Sequence, residues 1–182
     1  SKNRFDTIDA CFDLRDLESL DLSHNNLNAL PQSGWKNFGS LKALSLNANR
    51  IYILPKEIVE INTLVELNMQ YNILAKIPKA VSRLRGLETL RLEYNSLTKL
   101  PEELQSLPNL SICTLHNNRF KTLPSPLLNP KFAAQLISVT LFGNNLSTEL
   151  EKTIEKEGVY EYVRNLEVSF PKALATHPQD GI

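Results

Sequence analysis

Apolar residues recur at a fixed spacing along most of the chain. Each unit opens with a leucine, and apolar residues follow three, five and ten positions later. The opening leucines are Leu17, Leu41, Leu64, Leu87, Leu110 and Leu136, so the steps between units are 24, 23, 23, 23 and 26 residues. A Leu-Pro or Ile-Pro pair follows in the first five units. The alternation at the start of each unit predicts a short strand, and the proline predicts a return segment that needs no ladder hydrogen bonds.

An asparagine stands eight residues after every opening leucine. The six are Asn25, Asn49, Asn72, Asn95, Asn118 and Asn144. An amide side chain carries two donors and an acceptor, so at a corner of the chain it can pair with backbone groups that would otherwise be unsatisfied. We therefore interpret these asparagines as a structural ladder rather than as a chemical site.

Six copies of the pattern LxxLxLxxNxLxxLPxxLxxL, over roughly residues 3–146, resemble the leucine-rich-repeat superfamily. The Leu-Pro form is similar to its intracellular 23-residue type, which is found in Ras-pathway scaffolds and fungal adenylate cyclases. The resemblance implies an α/β solenoid: a right-handed horseshoe with one parallel sheet on its concave face. Mostly loops and short 3₁₀ or helical turns are expected on the convex face. No unit can bury its leucines alone, so stacking of neighbours has to supply the core.

The periodicity divides the chain into four parts. We expect a partial repeat or an N-terminal cap at 1–16, six repeats over 17–146, a helical cap at 147–168 and a tail at 169–182. The first part continues the repeat pattern backwards, which suggests either that an earlier repeat was cut away or that a cap imitates half a repeat.

The predicted helical cap has its own signals. Thr148 and Glu151 have the spacing of a capping box, and Gly158 is suited to end a helix. These residues predict a helix near 149–157. Apolar residues from Val159 to Leu166 predict a second, amphipathic helix to about residue 168.

Composition narrows the possible functions. The 20 basic residues balance the 20 acidic ones, so bulk charge favours neither nucleic acid nor an anionic membrane as partner. No apolar run is long enough to span a bilayer. The two cysteines, Cys11 and Cys113, occupy apolar slots of the repeat; we expect them in the core of a cytoplasmic protein rather than in a disulfide.

No catalytic or metal-binding pattern emerges from the sequence. The histidines His24, His116 and His177 lack metal-ligand spacing, and nearly every other position already has a role in the repeat. Trp35 occupies an apolar slot on the convex side and is expected to fill the core. We therefore expect no enzymatic activity and no cofactor.

The remaining candidates are the polar and aromatic strand residues that project from the concave face. They concentrate in the third to fifth repeats, where Tyr71 and Tyr94 are expected to be neighbours beside Arg91. Tyrosine and arginine are enriched at binding hot spots. The predicted partner-binding residues are Glu66, Asn68, Gln70, Tyr71, Arg91, Glu93, Tyr94, His116 and Asn117.

These features predict a rigid, monomeric module that recognises a partner protein through its concave sheet. Two alternatives stay open: a regulatory or targeting domain of a larger enzyme, such as a nuclease, cyclase, kinase or phosphatase, and a microbial effector that acts on host proteins. An extracellular receptor is disfavoured, because secreted relatives usually close both ends with disulfides.

Overall fold

Each repeat unit contributes one three-residue strand to a single sheet in the computed structural model, which describes residues 14–169. The strands are β1 (Ser19–Asp21), β2 (Ala43–Ser45), β3 (Glu66–Asn68), β4 (Thr89–Arg91), β5 (Ile112–Thr114) and β6 (Ser138–Thr140). They lie side by side in sequence order, and every pair is parallel and in register. The predicted solenoid with one parallel sheet is confirmed. Most of the predicted first part (1–13) and of the tail (170–182) lies outside the described residues.

Short 3₁₀ helices form the opposite side of the first five coils. They span Trp35–Asn37, Lys56–Glu60, Lys79–Arg83, Glu102–Ser106 and Ser125–Leu128. Four of them follow directly on the proline of the Leu-Pro pair. Proline suits this position because its φ is fixed and its missing N–H is not needed there. The repeating proline therefore places the turn that brings each coil back to the sheet.

The core runs between the sheet and the 3₁₀ helices as one continuous cluster of leucine, isoleucine, valine and aromatic side chains. Trp35 is 1 % exposed, and its indole N–H donates to the Pro31 carbonyl at 2.8 Å. Cys113 on β5 is fully buried. Both residues fill the core, as their slots in the repeat predict; Cys11 lies outside the described residues.

The asparagine side chains join each coil to its neighbour. The Asn95 amide donates to the carbonyls of Met69 and Leu92 at 2.9 and 3.0 Å, and its oxygen accepts from the Leu74 N–H at 2.9 Å. Asn49, Asn72, Asn118 and Asn144 make the same three kinds of bond. One amide thus satisfies backbone groups of two coils at the corner where the strand ends.

The fifth unit is three residues longer than its neighbours because it contains an extra helix, α1 (Pro130–Gln135). The Asn129 side chain caps this helix and accepts from the N–H groups of Lys131 and Phe132 at 3.0 and 3.3 Å. Proline at the first helical position needs no partner for its nitrogen. The repeat period signals the added length, but the sequence analysis did not predict the helix.

The chain continues after the last strand as helix α2 (Thr148–Ser169). Its backbone leaves the helical region at Gly158, with φ 80° and ψ 161°, where the sequence predicts the boundary between two helices. Val159 and Val163 are buried against the end of the core. The predicted capping box is wrong in one respect: the Ser147 hydroxyl, not that of Thr148, accepts from the Leu150 N–H at 3.3 Å.

Replacing Asn95 by alanine should strongly destabilise the protein. The change leaves the Leu74 N–H without its partner, at a cost of about 1–3 kcal/mol for an unsatisfied group. The two carbonyls that the Asn95 amide also reaches keep a neighbouring corner asparagine as donor. We expect the free energy of unfolding in urea to fall by about 2 kcal/mol. Asn109→Ala is the matched control, because the Asn109 amide makes one exposed hydrogen bond to the Arg85 carbonyl. Equal destabilisation by both changes would contradict a special role for the corner.

The Cys113 thiol should be inert in the folded protein, since burial, with a smaller effect of the Glu93 carboxylate, raises its pKa to about 12. In a Cys11→Ser variant it is the single thiol, and we expect a thiol reagent to react at least about a hundredfold slower with the native protein than in urea. An unfolded thiol ionises near pH 8.5. Raising the pH through that value therefore favours the unfolded state, and the free energy of unfolding should decline. Equal labelling rates would show that Cys113 is accessible.

Candidate functional site

The residue before each corner asparagine adopts a left-handed backbone conformation. These residues are His24, Ala48, Tyr71, Tyr94 and Asn117, with φ between 52° and 55°, and Gly143, with φ 67°. The amides of Tyr71 and Tyr94 still bond to the next coil, at 3.1 Å to the carbonyls of Glu93 and His116. The parallel pairing therefore continues past the strand ends, and the side chains at this position stand in a row about 4.8 Å apart.

Four aromatic rings form a continuous row across the last four coils. Tyr71 and Tyr94 stack with ring centroids 4.2 Å apart and an interplanar angle of 11°. The His116 ring meets the Tyr94 ring edge-on, with centroids 5.4 Å apart and an interplanar angle of 80°. His116 in turn stacks on Phe142, with ring centroids 4.3 Å apart. Tyr71, Tyr94 and Phe142 are 51 %, 40 % and 53 % exposed. We call Tyr71, Tyr94, His116 and Phe142 the aromatic ladder.

In the fifth and sixth coils the ladder uses the residue one position earlier in the repeat. The position that Tyr71 and Tyr94 occupy, directly before the corner asparagine, holds Asn117 and Gly143 in these two coils. A Cβ atom at residue 143 would lie 2.4 Å from Asn117 Oδ1, so any residue larger than glycine would require the Asn117 side chain to move, and the φ of 67° also favours glycine. The rings of His116 and Phe142 continue the row from the preceding position instead. Phe142 was not among the predicted site residues, although it stands in the same column of the repeat as His116.

Polar side chains surround the ladder on the third to fifth strands. The Arg91 guanidinium pairs with the Glu66 carboxylate at 3.3 Å, and both side chains are partly exposed. Asn68 accepts from the Gln70 N–H at 3.2 Å, and the His116 ring nitrogen Nδ1 lies 2.8 Å from the Thr140 hydroxyl. The structure thus brings together all nine predicted site residues, with Asn117 half-buried next to the ladder.

Glu93 differs from the expectation for a contact residue, because it is only 5 % exposed. Its carboxylate accepts hydrogen bonds from the Gln70 amide and the Thr114 hydroxyl, one on each neighbouring coil. The carboxylate makes no ion pair within the described residues. Glu93 therefore holds its neighbours in place beneath the tyrosines and offers a partner almost no surface.

The Tyr71 hydroxyl keeps its proton and can donate a hydrogen bond. Partial desolvation raises the pKa of Tyr71 above its ordinary value, with further contributions from the Tyr94 hydroxyl and the Glu93 carboxylate. The Tyr71 hydroxyl therefore stays protonated well above neutral pH. The pair combines exposed apolar ring surface with hydroxyl groups that can hydrogen-bond, which is the chemistry typical of protein-binding hot spots.

No group of three or more histidine, cysteine, aspartate or glutamate side chains is arranged to hold a metal ion between residues 14 and 165. In the same part of the chain, no helix has the length and apolar character needed to cross a membrane.

Comparison with solved structures finds proteins of the same architecture. A leucine-rich-repeat protein of Leptospira interrogans is 33 % identical over 80 % of this chain, with a TM-score of 0.70. An internalin of Listeria monocytogenes is 23 % identical over 80 %, with a TM-score of 0.64. The chain spans 36 % and 40 % of the lengths of these two proteins. A chain of the BIR3–SERK2 complex of Arabidopsis thaliana is 27 % identical, with a TM-score of 0.53; the match covers 65 % of this chain and 62 % of that one.

Sequence comparisons give the family. No curated protein sequence matches the chain. The family model described as "Leucine rich repeat" matches residues 1–51, 15–74 and 62–120. Because these matches cover most of the chain and the coils follow one repeating plan, the chain belongs to the leucine-rich-repeat family.

Proposed function

We propose that this chain is a recognition module that binds a partner protein through the aromatic ladder on the concave face of its sheet. Leucine-rich repeats are in general protein-interaction modules, and solenoids use extended concave surfaces for binding. The observation that carries the proposal is the continuous row of four rings, three of them 40–53 % exposed. The related Arabidopsis chain was itself solved in a complex of two proteins.

The backbone at Tyr71 and Tyr94 supports the proposal. A left-handed conformation costs a residue other than glycine about 1–2 kcal/mol, and asparagine tolerates it better than tyrosine. The other coils have histidine, alanine, asparagine or glycine at this position. Stacking of the two rings stabilises the fold by only about 0.5–1.5 kcal/mol in total, whereas each tyrosine has its own backbone cost. His24 and Ala48 adopt the same conformation, so the corner itself imposes this cost. What distinguishes the two tyrosines is their stacked, exposed ring surface, which burial against a partner would use.

The ladder is also preorganised for binding. The ring spacing follows from backbone hydrogen bonds between coils, and Glu93 fixes Gln70 and Thr114 beside the rings. Side chains that are already ordered lose little entropy when a partner docks, so more of the contact energy appears as affinity. The Arg91–Glu66 pair at the side of the rings supplies polar contacts that can select the orientation of the partner.

The double change Tyr71→Asn/Tyr94→Asn should abolish partner binding without loss of stability. Asparagine accepts the left-handed backbone but removes both rings. We expect an affinity loss of about a hundredfold or more, since each hot-spot residue contributes about 2 kcal/mol or more. Partners are captured from a lysate of the source organism by wild type, identified by mass spectrometry and titrated by calorimetry against each variant.

The matched control is Tyr160→Asn, which removes a tyrosine of similar exposure, 41 %, from helix α2. It should leave affinity unchanged. A partner that binds the ladder variant as tightly as wild type would overturn the proposal and place the contact on another surface. Urea titration of both variants verifies that the fold is intact.

A further inference from the structure

A second backbone ladder runs along the edge of the solenoid where the chain leaves the sheet. It joins the loops that follow the corner asparagines, and it holds them in the same register as the strands. The bonds run from the amides of Arg50, Ile73, Ser96 and Arg119 to the carbonyls of Leu27, Ile51, Leu74 and Leu97, at 2.8, 3.1, 2.9 and 2.8 Å. Equivalent side chains of neighbouring loops therefore stand side by side on this edge.

The charge on these loops is one-sided. The chain as a whole has equal numbers of basic and acidic residues, yet the loops contain five basic residues and no acidic one. The loops are residues 26–29, 50–53, 73–76, 96–99 and 119–122. Their basic residues are Arg50, Lys76, Lys99, Arg119 and Lys121, which we call the basic edge. All five are exposed, and none makes an ion pair with another described residue.

Apolar surface accompanies the charges. Tyr52, Ile53 and Ile73 lie on the same loops and are 55 %, 51 % and 53 % exposed. Beside them is an open groove of about 570 Å³ that extends across the second to fifth coils. Its walls include Ile53, Lys76 and Lys99, together with the Leu-Pro residues behind them. The basic edge therefore borders an apolar depression rather than a uniformly charged surface.

One of the two acidic residues that line the groove is paired with a lysine outside the basic edge. Glu103 lines the groove, but it pairs with Lys79 at 2.9 Å, and this pair lowers the pKa of its carboxyl. Glu102 is the other acidic residue in the lining. Of the basic edge, Lys76 and Lys99 line the groove. With Lys79 the lining contains three lysines and two glutamates, so the groove is net positive and includes apolar residues.

We propose that the basic edge and its groove bind an extended, acidic peptide segment of a partner protein, whose apolar side chains enter the groove. Charge complementarity selects the acidic segment and raises its association rate. Extended chain is favoured because Lys76 and Lys99 hold equivalent places in neighbouring loops, about 5 Å apart along the solenoid, with Ile53 at the same place in the loop before them. An anionic membrane fits less well, because a bilayer surface cannot enter a groove. Nucleic acid fits less well, because phosphates make no use of the exposed isoleucines.

The test is selection of random dodecapeptides displayed on phage against the immobilised chain, followed by fluorescence anisotropy with synthetic peptides. We expect enrichment of peptides that combine aspartate or glutamate with large apolar residues, and binding that weakens as salt is added. Lys76→Glu/Lys99→Glu should reduce their affinity at least about tenfold, since two attractions become repulsions. Ile53→Ser should also weaken binding, because the apolar anchor is lost.

The matched control is Lys131→Glu/Lys152→Glu, which makes the same change in net charge at exposed positions of the two α-helices. It should leave peptide affinity within about twofold of wild type. The proposal would be overturned if the selected peptides bound Lys76→Glu/Lys99→Glu with the affinity of wild type but no longer bound Tyr71→Asn/Tyr94→Asn. That result would assign peptide binding to the aromatic ladder. The absence of any enriched peptide would overturn it as well.

A parallel sedimentation assay distinguishes the proposed acidic peptide from other anionic partners. It uses phosphatidylcholine vesicles with and without phosphatidylserine, and poly-glutamate serves as an acidic chain without apolar residues. Preferential binding to phosphatidylserine vesicles through Lys76 and Lys99, or equal affinity for poly-glutamate and the selected peptides, would contradict an acidic peptide with apolar anchors. Failure of this proposal leaves the aromatic ladder untouched, because the two surfaces share no residue.

Discussion

The hydrogen bonds of the corner asparagines are the constraint on which the rest of the structure depends. Each amide replaces backbone partners that water would otherwise supply, and it does so for two coils at once. Hydrophobic stacking drives the coils together, but leucine side chains alone would allow them to slide. The directional amide bonds remove that freedom. They set the register that both the strands and the following loops inherit.

The same corner determines what the residue before the asparagine can be. The backbone there is left-handed in every described coil, which favours glycine and asparagine and disfavours tyrosine. Gly143 obeys the preference, since a Cβ atom would meet the Asn117 side chain. His24, Ala48, Tyr71 and Tyr94 all go against it, and of these the two tyrosines form the stacked and exposed pair on the sheet face. Local strain and surface chemistry thus coincide at the proposed contact.

The register gives the solenoid two rows of side chains with different chemistry. The sheet face carries aromatic rings and a buried carboxylate. The loop edge carries cations that make no ion pair within residues 14–169, beside exposed isoleucines. Both rows extend across several coils, so each matches an extended partner better than a compact small molecule. A rigid scaffold of this kind can hold two partners, or two segments of one partner, at a fixed separation.

The repeat period by itself determined the six coils, the parallel sheet, the corner asparagines and the grouping of Tyr71, Tyr94 and Arg91, because each follows from the spacing of residue types. Spacing could not show that Glu93 is buried, since its depth depends on Gln70 and Thr114 from the neighbouring coils. Nor could it show that Ser147 rather than Thr148 caps α2, or that the extra residues of the fifth unit form α1. The extension of the tyrosine pair by His116 and Phe142, and the basic edge, were decided by the tertiary structure. Both bring together residues of different coils, which only the stacking of coils places side by side.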